Sequence, residues 1–449
     1  MKALKGYLQR ALAAADSLSG KRFNLLVGSS LVATAAIVAS TLTGAGDNGA
    51  LAALLGQRPV GAAVSAPPAK PSAPAASGGP AASSASGPVA ASGPLVAAES
   101  PAAAPSSRPA SPQSKPAAPT ETLPEAGRIK HVFVISLASS GYDAAFGATP
   151  QMPYLAGTLR PEGELLSGYS LLEEAALPNQ IAAISGQPPN DQTKENCPTF
   201  SDFPVSAGLD SKGAVEGAGC LYPVEALTLA DQLTAGRFKW RGYMEGMVDE
   251  AGKPDNCVHP ESDGTDEPPL GGYATRNNPF VYFHSLLDLG DCALNDVPLD
   301  RLDADLRKID STPNYALISP SLCNAGVIGQ CPDGTPDGAA SADAFLSQWV
   351  PKIQSSPAYE KDGLLIVTFG ELNPPDPAAG AAAPTGKPKV GALLLSRFVS
   401  PGATDAASYD PYSLLRTIED LFGLDHLGLA DGAKVKSLAP GLLGETRGD

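Results

Sequence analysis

Histidine is scarce in this chain: His131, His259, His284 and His426 are the only four in 449 residues. That limits any metal centre built from clustered imidazoles. Basic charge is also short, with 31 Lys and Arg against 47 Asp and Glu, a formal net charge of −16. That balance argues against nucleic acid or an anionic membrane surface as the main partner, because both attract positive fields. Between residues 56 and 125 aromatics and long aliphatics almost vanish, and Ala, Pro, Ser and Gly take over. Such a stretch cannot bury enough apolar surface to offset its ordering entropy, so no packed core is expected there. No repeat of fixed period stands out, and no D-x-D-x-D-G run marks an EF-hand.

What is present divides the chain into four parts. Residues 1–22 carry Lys2, Lys5, Arg10, Lys21 and Arg22 against the single acid Asp16. Residues 23–43 then run uncharged for about 21 residues, long enough to cross a bilayer of ~30 Å as a helix. Basic charge before the apolar run places the N-terminus in the cytoplasm and exports the rest. The expectation is an uncleaved signal-anchor at the cell membrane. A cleaved signal peptide is the competing reading, with Ala39, Thr43 and Ala45 offering small residues near a cut. Residues 44–127 read as a disordered linker; its Ala/Pro/Ser/Gly-rich part, 56–125, partly extended in polyproline II, would reach ~200 Å at full extension. Residues 128–443 read as the folded domain.

All six cysteines, Cys197, Cys220, Cys257, Cys292, Cys323 and Cys331, fall in that domain. An even number in one region suggests disulfides and an oxidising, extracytoplasmic location. Many connectivities are open; pairing of neighbours would give Cys197–Cys220, Cys257–Cys292 and Cys323–Cys331, each closing a loop. Strands are expected at 130–137, 164–171, 239–244, 315–319, 363–369 and 390–395. The runs HVFVISL and LLIVTF are apolar throughout, as in strands buried on both faces of a parallel sheet. Helical spacing marks 228–235, 299–309, 344–353 and 410–423; the last has an Asp cap, a Pro at its first position and a closing Gly. Strands alternating with helices indicate an α/β sheet layered by helices. Ligands of open α/β sheets sit beyond the carboxyl ends of strands, here Ala138-Ser139-Ser140-Gly141 and Gly370-Glu371.

The ordered blocks HVFVISL…YDAAFG, MPYLAGTL, LPNQIAAISGQ, TLADQL…WRGYMEGM, NNPFVYFHSL, YALISPSLCN, WVPKIQSSPAY, GLLIVTFGE and YSLLRTIEDLFGL resemble the phosphoesterase family. This family contains bacterial acid phosphatases and phospholipase C enzymes and belongs to the alkaline-phosphatase-like superfamily. The resemblance implies a three-layer αβα sandwich with a mixed central sheet. It also implies divalent metal held by carboxylates, Asn and His, and a Ser or Thr that attacks phosphorus.

Carried over position by position, the machinery is depleted. The family's M-E-N-x-S is Leu137, Ala138, Ser139, Ser140 and Gly141 here. Its S/T-x-P-N nucleophile motif is Ala176-Leu177-Pro178-Asn179. Its D-E is Gly370-Glu371, and its His-Asn-Pro is Asn277-Asn278-Pro279. The acids and His that follow L-C-N become Ala325-Gly326-Val327, and the His before Y-S-L-L-R-T becomes Pro411. Only Glu371 and Asn179 survive of the expected metal ligands, and one carboxylate with one neutral amide would hold a divalent ion poorly.

The expectation is a pseudoenzyme at the cell envelope that serves as a binding or scaffold module. Its old cleft would be small and apolar at Ala138, Gly141, Ala176 and Gly370, flanked by Tyr243, Met244 and Glu245. Its partners would be the membrane, through the N-terminal helix, and a cell-wall glycan or envelope protein, with no nucleic acid. No cofactor is expected. The alternative is an active metal-dependent phosphoesterase with a displaced site, in which a divalent metal would take part. Other candidates are Ser139 as a substitute nucleophile and a calcium or zinc site at Asp255, Cys257, His259, Glu261, Asp263, Asp266 and Glu267. A calcium loop at Asp333, Asp337 and Asp343 completes the set. For the loop residues the solvated acidic surface is the plainer reading, as is a structural role for His131.

Overall fold

The computed structural model describes residues 129–374, 386–438 and 442. The basic leader 1–22, the expected membrane segment 23–43 and the linker 44–127 lie outside the described residues. Among the described residues no helix is long and apolar enough to cross a membrane.

The described strands are β1 His131–Ser139, β2 Glu164–Leu166, β3 Trp240–Met244, β4 Asp296–Pro298, β5 Tyr315–Ser319, β6 Gly363–Leu372, β7 Ala392–Leu395 and β8 Thr404–Asp405. They form one eight-stranded sheet in the order β4-β3-β5-β1-β6-β7-β2-β8. β1 lies parallel to both β5 and β6, whereas β7 runs antiparallel to β6 and β2, so the sheet is mixed. All nine residues of β1 are buried, as its uninterrupted apolar run requires. β1 and β6 run on past their expected ends to Ser139 and Leu372, with a register shift at Leu137/Ala138. Such irregularities re-aim side chains where pairing terminates. The strand expected over 164–171 stops at Leu166, and only isolated bridges from Tyr169 and Ser170 continue it. β4 and β8 are too short to show any pattern.

The principal helices are α1 Ala176–Ser185, α2 Leu229–Ala235, α3 Ala339–Gln354, α4 Pro357–Asp362 and α5 Pro411–Phe422. α2 begins in a capping box, Thr228 with Asp231. The Asp410 side chain caps α5 by accepting from Tyr412 and Ser413 N–H, and Gly423 ends it in the left-handed conformation. The helix expected over 299–309 breaks into a 3-10 turn, Leu299–Arg301, and one helical turn, Leu302–Asp305. Hydroxyls of Ser311 and Thr312 donate to the Asp305 carbonyl, taking the acceptor that the next turn would need. At the start of β1, His131 Nδ1 meets Asp362 Oδ1 at 2.5 Å, both buried, tying the strand to the end of α4.

The three bridges join neighbours: Cys197–Cys220, Cys257–Cys292 and Cys323–Cys331. The second spans 35 positions and the third 8. Loop-closure entropy then assigns about 3.8 kcal/mol to the second and about 2.5 kcal/mol to the third. Paired Cys→Ser variants are expected to lose stability in that order in denaturant unfolding; equal or reversed losses would contradict the entropic account.

Candidate functional site

β1 and β6 end side by side, with Ala138 paired to Glu371. Ala138 does not face an open cleft. It packs with Ala274, Leu322, Ala325 and Val327 in a small apolar cluster separate from the main core. Each of these residues is at most 7% exposed. Ala138, Ala325 and Val327 stand where the resemblance puts an acid or ligand, so oil fills the place of charge.

Amides stitch the segments around this cluster. Asn373 Nδ2 donates to the Gly326 carbonyl at 2.8 Å, and its Oδ1 accepts from Ile328 N–H at 3.1 Å. Asn373 N–H in turn donates to the Ser139 carbonyl. Ser139 Oγ is buried and accepts from Gly141 N–H at 3.0 Å. No imidazole reaches it: the four His rings contact Asp362, the Pro260 carbonyl, Asp202 with Asp288, and Asp420. Nothing activates Ser139 as a nucleophile.

α1 starts at Ala176, which is fully buried, and Leu177 N–H finds its acceptor on Asn196 Oδ1. Asn179 works as a brace. Its Oδ1 accepts from Leu172 N–H at 2.8 Å, and its Nδ2 donates to the carbonyls of Glu173, Ala175 and Gly370. Next to it, Gln180 Nε2 donates to Ser136 Oγ at 2.8 Å. A β-carbon on Gly370 would sit 2.5 Å from that nitrogen. The amide of Gln180 thus occupies the space that an acidic side chain at 370 would need. Pro411 is the buried first residue of α5 and presents no polar atom of its own. Of the residues expected to line a small apolar cleft, Ala138, Ala176 and Gly370 are buried and Gly141 is half-buried.

Glu371 is the carboxylate at these strand ends, and it has a partner in the chain. Arg276 Nε lies 3.8 Å from Glu371 Oε2, with side chains 18% and 16% exposed. Neither of those two atoms has a hydrogen-bond partner. Burial raises the Glu371 pKa, and the Arg276 charge opposes that shift. Asp266, also raised by burial, accepts from the Thr275 hydroxyl at 2.7 Å and feels Arg276 as well. Arg276 is the functional residue that the sequence reading missed. The available signal was a cation directly preceding Asn277-Asn278-Pro279.

Of the expected cleft-lining trio only Glu245 reaches this end. Its carboxylate accepts from Ser321 N–H and from Asn324 Nδ2. Tyr243 is instead buried, with its hydroxyl donating to Asp305, and Met244 is buried in the core. Asn278 Nδ2 donates to Asp296 Oδ2 at 2.7 Å and to the Tyr273 hydroxyl. Asp296 is fully buried, its Oδ1 has no partner, and desolvation pushes its carboxyl up to about 8.

Among the described residues, Cys257, Cys292 and Asp296 form the one trio of potential ligands close enough to share an ion. Its two sulfurs are joined as a disulfide and present no thiolate. The acids of the 255–267 loop do not converge. Asp343 accepts from Tyr154 and Leu155 N–H and Asp337 from Gly329 N–H, so the proposed calcium loop is spent on backbone. At the strand ends the donor set does not fit a divalent cation. Glu371 faces a guanidinium, the Asn179 amide is committed to backbone, and Ala138 offers no donor.

The sheet is mixed, and β1 and β6 end side by side at the candidate site. A profile of the Phosphoesterase family matches residues 167–425, and the chain belongs to that family. It is 23% identical over 311 residues to a "Probable acid phosphatase" of Kluyveromyces lactis, a match covering 69% of this chain and 62% of that protein. The chain thus spans less than two thirds of that relative's length. In structure it is similar to the phosphonate monoester hydrolase SpPMH from Silicibacter pomeroyi, at 13% identity, 71% and 78% coverage, and TM-score 0.39. It is also similar to the lipoteichoic acid synthase LtaP from Listeria monocytogenes, at 9% identity, 67% and 74% coverage, and TM-score 0.40.

An acid whose pKa is higher in the folded than in the unfolded chain binds its proton more tightly when folded. Stability must therefore fall as pH rises from the ordinary carboxyl range towards about 8, the value reached by Asp296. Asp296→Asn is expected to flatten the stability profile between pH 4 and 8. Thermal melts across that range test this, and an unchanged slope would count against a buried neutral Asp296.

Proposed function

We propose that this chain carries a phosphoesterase-derived domain that has lost ester hydrolysis and acts as a binding or scaffold module at the cell envelope. The observation that carries this reading is the apolar cluster of Ala138, Ala274, Leu322, Ala325 and Val327 at the strand ends. Phosphoryl transfer develops negative charge on the transferred oxygens and relies on cations or donors aimed at them. An alanine and valine lining supplies neither, and the neighbouring Glu371 is already faced by Arg276. The three disulfides support an oxidising compartment. The uncharged run 23–43 supports attachment to the membrane, with the linker 44–127 as spacer and the domain outside the cytoplasm. A three-layer sandwich is the arrangement by which helices would cover both faces of the mixed sheet.

A second reading is an active metal-dependent phosphoesterase of acid phosphatase or phospholipase C type with a displaced site. Similarity to a protein described as a probable acid phosphatase favours it. The purified chain should be assayed on p-nitrophenyl phosphate and bis-p-nitrophenyl phosphate with Mg, Mn, Zn and Ca ions from pH 4 to 9. The expected result is no turnover above buffer, with Glu371→Gln indistinguishable from the parent. Metal-dependent turnover that disappears in Glu371→Gln would establish the second reading instead.

A further inference from the structure

At the end of β3 away from the candidate site lies a cleft of about 270 Å3. Arg237, Lys239 and Arg241 line it with Asp291, and Arg241 is also paired with Asp305, so three cations meet two carboxylates in a chain of net charge −16. Lys239 and Arg241 flank Trp240, whose side chain is buried against Phe280. Alternation along an extended segment therefore directs both cations to the other side. Both are anchored with donors to spare. Lys239 Nζ donates to the Asp310 carbonyl, and Arg241 holds Asp305 at 3.2 Å and the Leu294 carbonyl at 3.0 Å. An ammonium has three N–H donors and a guanidinium five, so each keeps several uncommitted. The Thr234 hydroxyl oxygen accepts from Trp240 Nε1, and Thr234 also lines the cleft.

Arg237 supplies the second observation. Its φ of 62° is in the left-handed region, just after α2. Phe238 N–H donates back to Leu233 and Arg237 N–H to Thr234, closing the helix end. Glycine is the usual residue in that conformation because a β-carbon is strained there. The chain has a glycine next door, Gly236, but spends it on an ordinary helical φ of −77°. Strain tolerated at one exposed arginine points to use of its side chain.

We propose that Arg237, Lys239 and Arg241 form a binding site for a small, doubly charged oxyanion of the phosphate or sulfate type. It stands roughly 15 Å along β3 from the strand-end site and is independent of it.

The test titrates the full chain calorimetrically at low ionic strength with inorganic phosphate and inorganic sulfate. Methylphosphonate is titrated in parallel, as a stand-in for an ester-bound group that nothing can hydrolyse. Saturable binding that weakens with added NaCl is expected. Preference for phosphate or sulfate assigns the free ion, and preference for methylphosphonate assigns an ester. Arg237→Gly is expected to weaken binding roughly tenfold or more while the melting temperature holds or rises. Lys239→Gln should weaken it too, and Glu371→Gln should not. Absence of saturation in the parent chain, or Arg237→Gly binding as the parent does, would overturn the assignment.

Discussion

β1 has no side chain open to water. It is paired on both edges, to β5 and β6, and is covered on both faces. Whatever stands at its carboxyl end must therefore be satisfied by protein, because an unmatched buried polar group costs more than a hydrogen bond returns. The chain meets this constraint with apolar residues and committed amides. Ala138 ends the buried run, Asn373 closes the backbone beside it, and Asn179 and Gln180 hold α1 against β6. Charge enters at Glu371, where it is faced by Arg276, and at Glu245, which accepts from Ser321 N–H and Asn324 Nδ2.

These replacements depend on one another. Removing an acid at 138 would leave a void, but Ala274, Leu322, Ala325 and Val327 close over the position. Removing an acid at 370 would leave another, which Gln180 fills while bonding Ser136. The converse also holds: a side chain restored at 370 would meet Gln180 Nε2 at 2.5 Å and Ser136 Oγ at 2.8 Å. Residues that share space in this way do not contribute additively. A side chain at 370 would therefore require Gln180 and Ser136 to move with it.

Much of the fold was legible because its signals are local. Apolar runs located six strands, apolar residues at helical spacing marked α2, and Asp-Pro with a closing Gly bounded α5. Neighbouring cysteines paired because each bridge closes a short loop. What escaped notice depends on distant segments meeting. β4 and β8 form only because a partner strand supplies their hydrogen bonds, and the 299–309 helix ends where Ser311 and Thr312 take its carbonyl. At the site, Ala138, Ala176 and Gly370, which stand where the resemblance expects acids and a hydroxyl, were readable residue by residue. The covering of the vacated space was not. Tyr243 and Met244 turn into the core, and Arg276 reaches Glu371 from a segment far away in sequence.

The pair of Glu371 and Arg276 shows how a mostly buried carboxylate is accommodated at the strand ends. At 3.8 Å, with Nε and Oε2 both lacking hydrogen bonds, it is looser than a bidentate fork. Such a pair adds little net stability, because desolvation of both ions offsets their attraction. Loss of either member alone is different, since it strands an uncompensated charge in a mostly buried position. Glu371 thus has a structural reason to persist that needs no reaction. Glu371 stands as a counter-ion, and Arg276 supplies from within the chain the positive charge that it requires.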